Sequence, residues 1–274
     1  MMGKLPIANC ESAICNLQSR IAYWSVIIVL LLAGALRFWR LDAVPPGWRD
    51  DELIELHIDA RIGAGWRPLY IEEAEGHEPL YHYIHAVTLM LFGANRTGYR
   101  WLSAASGWVA VALTMALSRR LWGRWVALGA GAMMAVGFWP LMYSRFGLRH
   151  VGVLPPLLMA FYALWQGIET RSTQYAIRIP YFVFRFGRFT LAAVCLAAAL
   201  YTYFAGRIVP LIVAAFAVYL LLFHRTTFKA TWWGWLWMGA LALVLFAPLG
   251  WYLVHRPLET RLAVVGQPLI ELMH

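Results

Sequence analysis

The sequence predicts an all-α polytopic membrane protein with about seven transmembrane helices and a large first outer loop that bears amphipathic juxtamembrane helices. Of its 274 residues, 61% are hydrophobic and only 14% are charged. Soluble domains are roughly 45–50% apolar and about 25% charged, so a water-soluble globule is excluded. Disordered chains are poor in apolar residues and rich in charge, so disorder is excluded as well.

Seven apolar runs support the predicted spans, because each is near the ~20 residues that cross a bilayer. They lie at 21–36, 101–118, 126–144, 150–166, 190–206, 208–223 and 234–253. We therefore expect a cytoplasmic N-terminal tail at 1–20, a transmembrane module at 21–257 and an outer C-terminal segment at 258–274. We expect this chain to be either a fragment or a reduced form of a longer protein.

The stretch 79–92 is apolar but short, and His82 and His85 interrupt it. If it crossed the membrane, the basic loop around Arg119 and Arg120 would face outward, against the positive-inside rule. We predict an interfacial or re-entrant helix instead. The N-terminus is then cytoplasmic and loop 42–100 lies outside. The net charge of +9 is accounted for by inner-loop arginines and some functional ones, and membrane lipids rather than nucleic acid are the expected partners.

The acidic residues are concentrated in this outer loop. Ten of the 14 lie between Asp42 and Glu78, and only Glu169 lies between Pro79 and Leu258. Any carboxylate chemistry is therefore expected to come from loop 42–100. A long loop inside a compact protein is usually functional or disordered, and this one is rich in Trp, Ile, Leu and Tyr, which favours function.

Within the loop, Ile54, Ile58 and Ile62 recur at every fourth position, which predicts an amphipathic helix along the membrane surface. Asp50 and its two acidic neighbours stand at the start of this helix. One interpretation is helix capping by Asp50. The other is catalysis by Asp51, because a carboxylate there stays ionised and can accept a proton from a hydroxyl. The two interpretations are compatible.

The Asp51-Glu52 pair follows the first span and is preceded by Arg-Phe-x-Arg-Leu at 37–41 and by the Pro45-Pro46 turn. This arrangement resembles the GT-C superfamily of lipid-linked glycosyltransferases, and most of all the branch of protein O-mannosyltransferases and aminoarabinose transferases. Further elements similar to that branch stand at 78–83, 91–93, 99–103 and 119–123. The resemblance covers about 36–257, and its order and spacing are more specific than any one motif.

The resemblance implies a seven-span catalytic module that transfers a hexose from a polyprenyl-phosphate donor to an acceptor hydroxyl on the outer face, with inversion. The acceptor is a protein, a lipid or a glycan. Asp51 is the implied catalytic base, and Glu52 and Asp50 beside it are the other catalytic candidates. The resemblance implies a second acid in the outer loop after the third span, but segment 143–150 contains none. No metal or other cofactor is therefore predicted, and a divalent cation is possible but has no support.

The phosphate that leaves carries negative charge, which cations stabilise. The paired N–H groups of an arginine guanidinium match the oxygens of a phosphate. Outer-face arginines near span ends are therefore substrate-binding candidates, together with polar and aromatic residues of the motifs. The candidates are His77, Glu78, Tyr81, Arg145, Arg149, Tyr203 and Arg207. Headgroup contacts or snorkelling could equally account for Arg145 and Arg149, and a simple turn for Arg207. His82 and His85 are expected to be interfacial histidines rather than metal ligands.

A transporter or a lipid-binding membrane protein without catalysis is the alternative function. Such a protein is expected to carry ionisable or broken-helix sites near the middle of the membrane. Here the ionisable residues lie in one outer loop and at span ends, which favours chemistry at the membrane surface.

Overall fold

The computed structural model describes residues 7–73, 76–169 and 178–255, and in those ranges its regular structure is helical apart from one isolated two-residue bridge. The helices are α1 (Ile7–Phe38), α2 (Asp50–Gly63), α3 (Pro79–Phe92), α4 (Arg96–Trp122), α5 (Arg124–Val136), α6 (Phe138–Arg145), α7 (Leu154–Glu169), α8 (Arg178–Leu200), α9 (Val209–Phe223) and α10 (Arg225–His255). Two 3₁₀ turns, Arg149–Val153 and Phe204–Ile208, precede α7 and α9. The predicted outer segment 258–274 lies outside the described residues.

The predicted all-α membrane fold is confirmed. Within the part of the chain that the structure describes, four helical stretches are long and apolar enough to cross a membrane, and α5 with α6 is a fifth if that bent pair is one span. Length and hydropathy thus give four or five of the predicted seven spans among the described residues. The apolar part of α1, Tyr23–Phe38, is shorter than these stretches, and α8 is not among them.

The span predicted at 126–144 is broken at Gly137, and α5 and α6 meet there at 53°. Gly137 has an extended backbone with ψ of 136°, and a Cβ at this position would lie 2.6 Å from the Met133 carbonyl oxygen. Pro140 follows three residues later and has no N–H to continue the helical ladder. A hydropathy window does not detect the break, because the flanking residues are all apolar.

Helix α3 coincides with the stretch predicted to be interfacial or re-entrant. Its 14 residues extend about 21 Å, which is shorter than the ~30 Å hydrocarbon core of a bilayer. Pro79 occupies the first turn, where a missing N–H costs nothing. Gly93 ends the helix with a φ of +84°, a conformation that glycine adopts without strain. The helix packs between α2 and α4.

Two apolar clusters hold the helices together. The larger one joins α7, α8, α9 and α10 around Phe189 and Trp235, and the smaller one joins α1, α4 and α5 around Met115. Arg37 is fully buried at the end of α1 and donates to the carbonyl oxygens of Met134 at 2.9 Å and Ala135 at 3.1 Å. It thereby satisfies the last carbonyls of α5, which a helix C-terminus leaves unpaired.

Candidate functional site

Helix α2 turns an acidic face toward the protein interior. Its buried residues follow the helical spacing and are Glu52, Glu55, Ile58, Asp59 and Ile62. The isoleucine pattern therefore predicted the helix correctly but its orientation incompletely, because Ile58 and Ile62 face the interior while Ile54 is exposed. Since buried carboxylates are costly unless they are paired, this face must be satisfied by cations and N–H donors from neighbouring elements.

Glu52, not Asp50, closes the N-terminus of α2. The Arg49 backbone N–H donates to Glu52 Oε2 at 3.0 Å, which is one half of a capping box. Asp50 is the first helical residue and is exposed. The capping role predicted for Asp50 is corrected accordingly, because the cap residue is Arg49 and the carboxylate that reaches back to it is three residues further on.

Glu52 was also a catalytic candidate, and the structure assigns it a different position. Both of its oxygens accept hydrogen bonds from Arg100, and Oε1 also accepts the Gly147 N–H at 3.0 Å. Burial would raise the pKa of Glu52, but these bonds and the one from Arg49 together lower it. A fully buried carboxylate with this many donors holds α2, α4 and the segment after α6 together, and it cannot reach an acceptor hydroxyl.

A cleft of about 430 Å³ opens beside α2, and it collects part of the predicted site. Its lining residues are Asp51, Ile54, Glu55, His77, Arg149, His150, Tyr203 and Phe204. Four predicted site residues therefore meet here, namely Asp51, His77, Arg149 and Tyr203. The other predicted residues, which are Asp50, Glu52, Glu78, Tyr81, Arg145 and Arg207, do not line this cleft.

Arg149 is the cation of the cleft. Its Nη1 lies 3.2 Å from Glu55 Oε1, and it lies 2.6 Å from Nδ1 and 2.7 Å from Nε2 of His77. The guanidinium carbon is 5.7 Å from the centre of the Tyr203 ring, within the range of a cation–π contact. Burial raises the pKa of Glu55 to about 8, although the charge of Arg149 opposes this. Glu55 therefore gains a proton far more easily than an exposed glutamate.

His77 is held in the cleft by its backbone and its ring. Its N–H and carbonyl form an antiparallel bridge with Ile71, with N···O distances of 2.7 and 3.0 Å. Ile71 in turn is fully buried in an apolar cluster with Ile58 and Ala86. The His77 ring stacks on that of His82, with centroids 5.1 Å apart. The strand bridge thus fixes where the side chain enters the cleft.

Arg145 was predicted to bind phosphate, and this stays a prediction, although the structure places its guanidinium against the end of α1. Its guanidinium donates to the carbonyl oxygens of Trp39 at 2.7 Å and Val44 at 2.8 Å, and also to Leu36 and Arg37. These are the last carbonyls of α1 and the first of the following loop. Because its donors are taken up by carbonyls that would otherwise lack partners, Arg145 closes α1.

Three further candidates lie near the cleft rather than in it. Tyr81 is buried, and its hydroxyl is 2.7 Å from Ser103 Oγ. Glu78 and Arg207 form an ion pair, with Oε1 and Nη2 2.6 Å apart, that ties the start of α3 to the turn before α9. The role of Tyr81 as a substrate ligand stays a prediction, although its hydroxyl already has a partner inside the protein. Glu78 and Arg207 stay predictions.

Sequence reasoning missed Glu55, which lines the cleft, and the residues that support the cleft from behind, which are Asp59, His82, His85 and Arg100. His82 and His85 were expected at the membrane interface, but both are fully buried against Asp59. The available signal was the spacing of acids on α2, where positions 52, 55 and 59 share one helical face. The same spacing places His82 and His85 together on α3.

The prediction of no metal stays a prediction. Among the described residues, no group of three or more His, Cys, Asp and Glu side chains is arranged to hold an ion. The clustered imidazole and carboxylate groups behind the cleft are turned toward one another instead.

No protein-family model matches the chain, and no curated protein matches it in sequence. Solved structures, however, share its fold. The archaeal oligosaccharyltransferase AglB from Archaeoglobus fulgidus, in complex with an inhibitory peptide and a dolichol-phosphate, has a TM-score of 0.66 at 16% identity, covering 84% of this chain and 29% of its own. ArnT from Cupriavidus metallidurans in the apo state has a TM-score of 0.64 at 18% identity, covering 90% of this chain and 45% of its own.

ArnT bound to undecaprenyl phosphate is similar as well, with a TM-score of 0.61 at 18% identity and coverage of 88% of this chain and 43% of that one. The chain therefore spans less than half the length of these proteins. At such low identity the similarity shows the fold alone, and the mannosyltransferase branch stays a prediction. The chain shares the fold of AglB and ArnT.

Proposed function

We propose that this chain is the membrane module of a glycosyltransferase that moves a sugar from a polyprenyl-phosphate donor to an acceptor hydroxyl. The observation that carries the proposal is the cleft, in which the exposed carboxylate of Asp51 and the guanidinium of Arg149 line one space. The fold adds support, because structures with this fold were solved with a dolichol-phosphate and with undecaprenyl phosphate.

The proposed reaction needs only these two kinds of group. The acceptor oxygen forms a bond to the anomeric carbon of the sugar while its proton passes to Asp51. The bond from that carbon to the phosphate oxygen breaks, and polyprenyl phosphate leaves with the electron pair. Attack from the face opposite the phosphate inverts the anomeric centre. Arg149 stabilises the charge that develops on the leaving oxygen, so no general acid is required, unlike in glycoside hydrolysis.

We further propose that the cleft faces the outside of the cell membrane and that the N-terminus is cytoplasmic. Near its start, helix α4 carries Arg100, which is bonded to Glu52 in the first turn of α2, and its last turn carries Arg119 and Arg120. Its 27 residues extend about 40 Å, which separates the cleft from this basic turn by a membrane thickness. Positive charge is retained on the cytoplasmic side, so the opposite end of the helix is outer.

The sugar is proposed to be a hexose, and the acceptor a protein, a lipid or a glycan. Transfer is tested with the purified protein in lipid nanodiscs, supplied with radiolabelled undecaprenyl-phosphate hexose with and without a cell-envelope extract as the acceptor source. We expect the donor to be consumed only when the extract is present. Binding of the donor without turnover under both conditions would instead support a lipid-binding protein or a transporter.

The Asp51→Asn variant tests the assignment of the base. We expect transfer to fall by about 10²–10⁴-fold, the usual contribution of a positioned general base, while binding of undecaprenyl phosphate is kept. Asp42→Asn is the matched control, because Asp42 is also an exposed loop carboxylate and does not line the cleft. Undiminished transfer by Asp51→Asn would overturn the role of Asp51.

A further inference from the structure

Behind the cleft, three buried side chains form one chain of hydrogen bonds that ends on Arg149. Asp59 Oδ1 lies 2.8 Å from His82 Nδ1, and His82 Nε2 lies 2.9 Å from His77 Nδ1. Arg149 Nη1 then lies against the His77 ring, 2.6 Å from Nδ1 and 2.7 Å from Nε2. Asp59, His82 and His77 are at most 3% exposed. The chain therefore runs from the interior of α2, across α3, to the cation of the cleft without contact with water.

The chemistry of the partners fixes the direction of every hydrogen bond. Burial lowers the pKa of His82, so its ring is neutral and carries a single N–H, which the Asp59 carboxylate accepts from Nδ1. Its Nε2 must then accept a proton, which His77 Nδ1 donates. His77 Nε2 is left with a lone pair, and the Arg149 N–H donates to it. Each ring thus has one tautomer, set by the residue behind it.

The inner end of the chain is fixed as well. His85 Nε2 lies 2.6 Å from the Tyr99 carbonyl oxygen, to which it must donate. Its Nδ1 lies 2.7 Å from Asp59 Oδ2, although at an angle outside the hydrogen-bonding range. Asp59 Oδ2 therefore has no hydrogen-bond partner among the described residues, and the bond from His82 to Oδ1 sets the inner end of the chain.

At the cleft end, the chain uses only one nitrogen of Arg149. Nη1 is taken by His77 and by Glu55. Nε is buried and has no hydrogen-bond partner among the described residues. The side-chain hydrogen bonds of Arg149 to the described residues Glu55 and His77 use Nη1, not Nη2. A buried N–H without a partner costs free energy. Nε and Nη2 form one edge of the planar guanidinium, and two parallel N–H groups on one edge match two oxygens of a phosphate.

We propose that Asp59, His82 and His77 are positioning residues that hold Arg149 by Nη1 so that its Nε–Nη2 edge receives the donor phosphate. This inference rests on the proposed function, in which Arg149 binds that phosphate. It assigns no proton transfer to the histidines. Asp59 and His82 fix the orientation of the His77 ring, and the ring holds Arg149 Nη1 in position. Arg149 therefore loses little side-chain entropy when it binds the phosphate.

The test compares two lipids that differ only in the phosphate. Binding of undecaprenyl phosphate and of undecaprenol is measured for the protein in lipid nanodiscs. We expect Arg149→Ala and His77→Ala each to weaken undecaprenyl phosphate binding by about tenfold or more, the usual effect of losing a hydrogen bond to a charged group. Undecaprenol binding is expected to be unchanged in both variants.

A double-mutant cycle shows whether His77 acts through Arg149. In the Arg149→Ala background, His77→Ala is expected to cause no further loss. His77→Gln places an amide oxygen near the position of Nε2, so it is expected to restore most of the affinity. Asp59→Asn can present Oδ1 to His82 and its amide to His85, so we expect binding within about twofold of wild type. Asp59→Leu, which breaks the chain, is expected to lose about tenfold.

The outcomes separate this inference from the proposed function. Loss of phosphate binding in Arg149→Ala but not in His77→Ala overturns the inference and leaves the phosphate site intact. Additive losses in the double variant, or equal losses for undecaprenol, also overturn it. No loss in Arg149→Ala overturns both the phosphate site and the inference. Intrinsic tryptophan fluorescence on heating checks that every variant is folded, and if Asp59→Leu is not folded, His77→Ala and His77→Gln decide the question.

Discussion

Glu52 on α2 and Arg100 on α4 form a fully buried ion pair. Arg100 Nε lies 2.9 Å from Glu52 Oε1, and Nη2 lies 2.9 Å from Oε2. The remaining N–H groups of Arg100 donate to the carbonyl oxygens of Pro45 and Gly47, both at 2.7 Å. The pair therefore fixes the loop after α1 and the start of α2, and with them the position of the cleft.

Replacing Glu52 with Ala is expected to lower the free energy of unfolding by about 3–5 kcal/mol, because it leaves Arg100 charged and buried without its partner. Thermal unfolding of the detergent-solubilised protein, followed by tryptophan fluorescence, measures this. Asp51→Asn is the control. Because Asp51 is exposed, its replacement is expected to leave the free energy of unfolding unchanged. A Glu52→Ala protein with wild-type stability and no transfer activity would return Glu52 to the catalytic candidates.

Arg145 and Arg149 are only four positions apart, but they are expected to differ in the property that they control. Arg145→Ala leaves carbonyls at the end of α1 without donors, so we expect a loss of about 2–3 kcal/mol in the free energy of unfolding. Its affinity for undecaprenyl phosphate is expected to stay at the wild-type level under conditions where the variant is folded. Arg149→Ala is expected to lose affinity for undecaprenyl phosphate and to keep the free energy of unfolding of the wild type. Equal affinities of the two variants for undecaprenyl phosphate would contradict the phosphate-binding role of Arg149.

Glu55 is expected to make stability depend on pH. Its pKa rises from an ordinary 4.5 to about 8 on folding, because of burial. Between these values the folded protein binds more protons at Glu55 than the unfolded protein does. The stabilisation is therefore fully present below pH 4.5 and is lost as the pH rises through 8.

The Glu55→Gln variant isolates this effect, because Gln keeps the neutral form and its contacts. Melting temperatures from pH 5 to 8.5 should fall more steeply with pH in the wild type than in Glu55→Gln. The histidines are present in both proteins, so they do not account for a difference between the two profiles. Parallel pH profiles for the two proteins would show that Glu55 is ionised in the folded state.

The helical fold could be predicted because the interior of a bilayer offers the backbone no hydrogen-bond partners. A chain with this much apolar surface must satisfy its backbone hydrogen bonds internally inside a bilayer, and helices do so. The positions of α3 and α9 were found nearly to the residue, since Pro and Gly mark the ends of α3 and Pro210 stands in the first turn of α9. The break at Gly137 was missed because hydropathy does not depend on backbone direction.

The site could be predicted in part. The acidic loop and the phosphate chemistry indicated Asp51, His77, Arg149 and Tyr203, and the structure brings these four into one cleft. Arg145 shows why the rest could not be predicted. An arginine at a span end has the same local sequence whether it faces a ligand or the end of another helix, and only the position of α1 decides between them.

The sequence by itself determined that the protein lies in a membrane, that it is helical, and that ten of its 14 acids lie in one loop, because these properties depend on composition and short-range spacing. The tertiary structure alone decided which polar groups face one another. Asp59 and His82 are 23 positions apart, and Glu55 and Arg149 are 94 apart. Their pairing arises from the packing of α2 against α3 and of the turn before α7 against both. Burial then makes each unpaired charge costly, so that every one of these groups must have a partner.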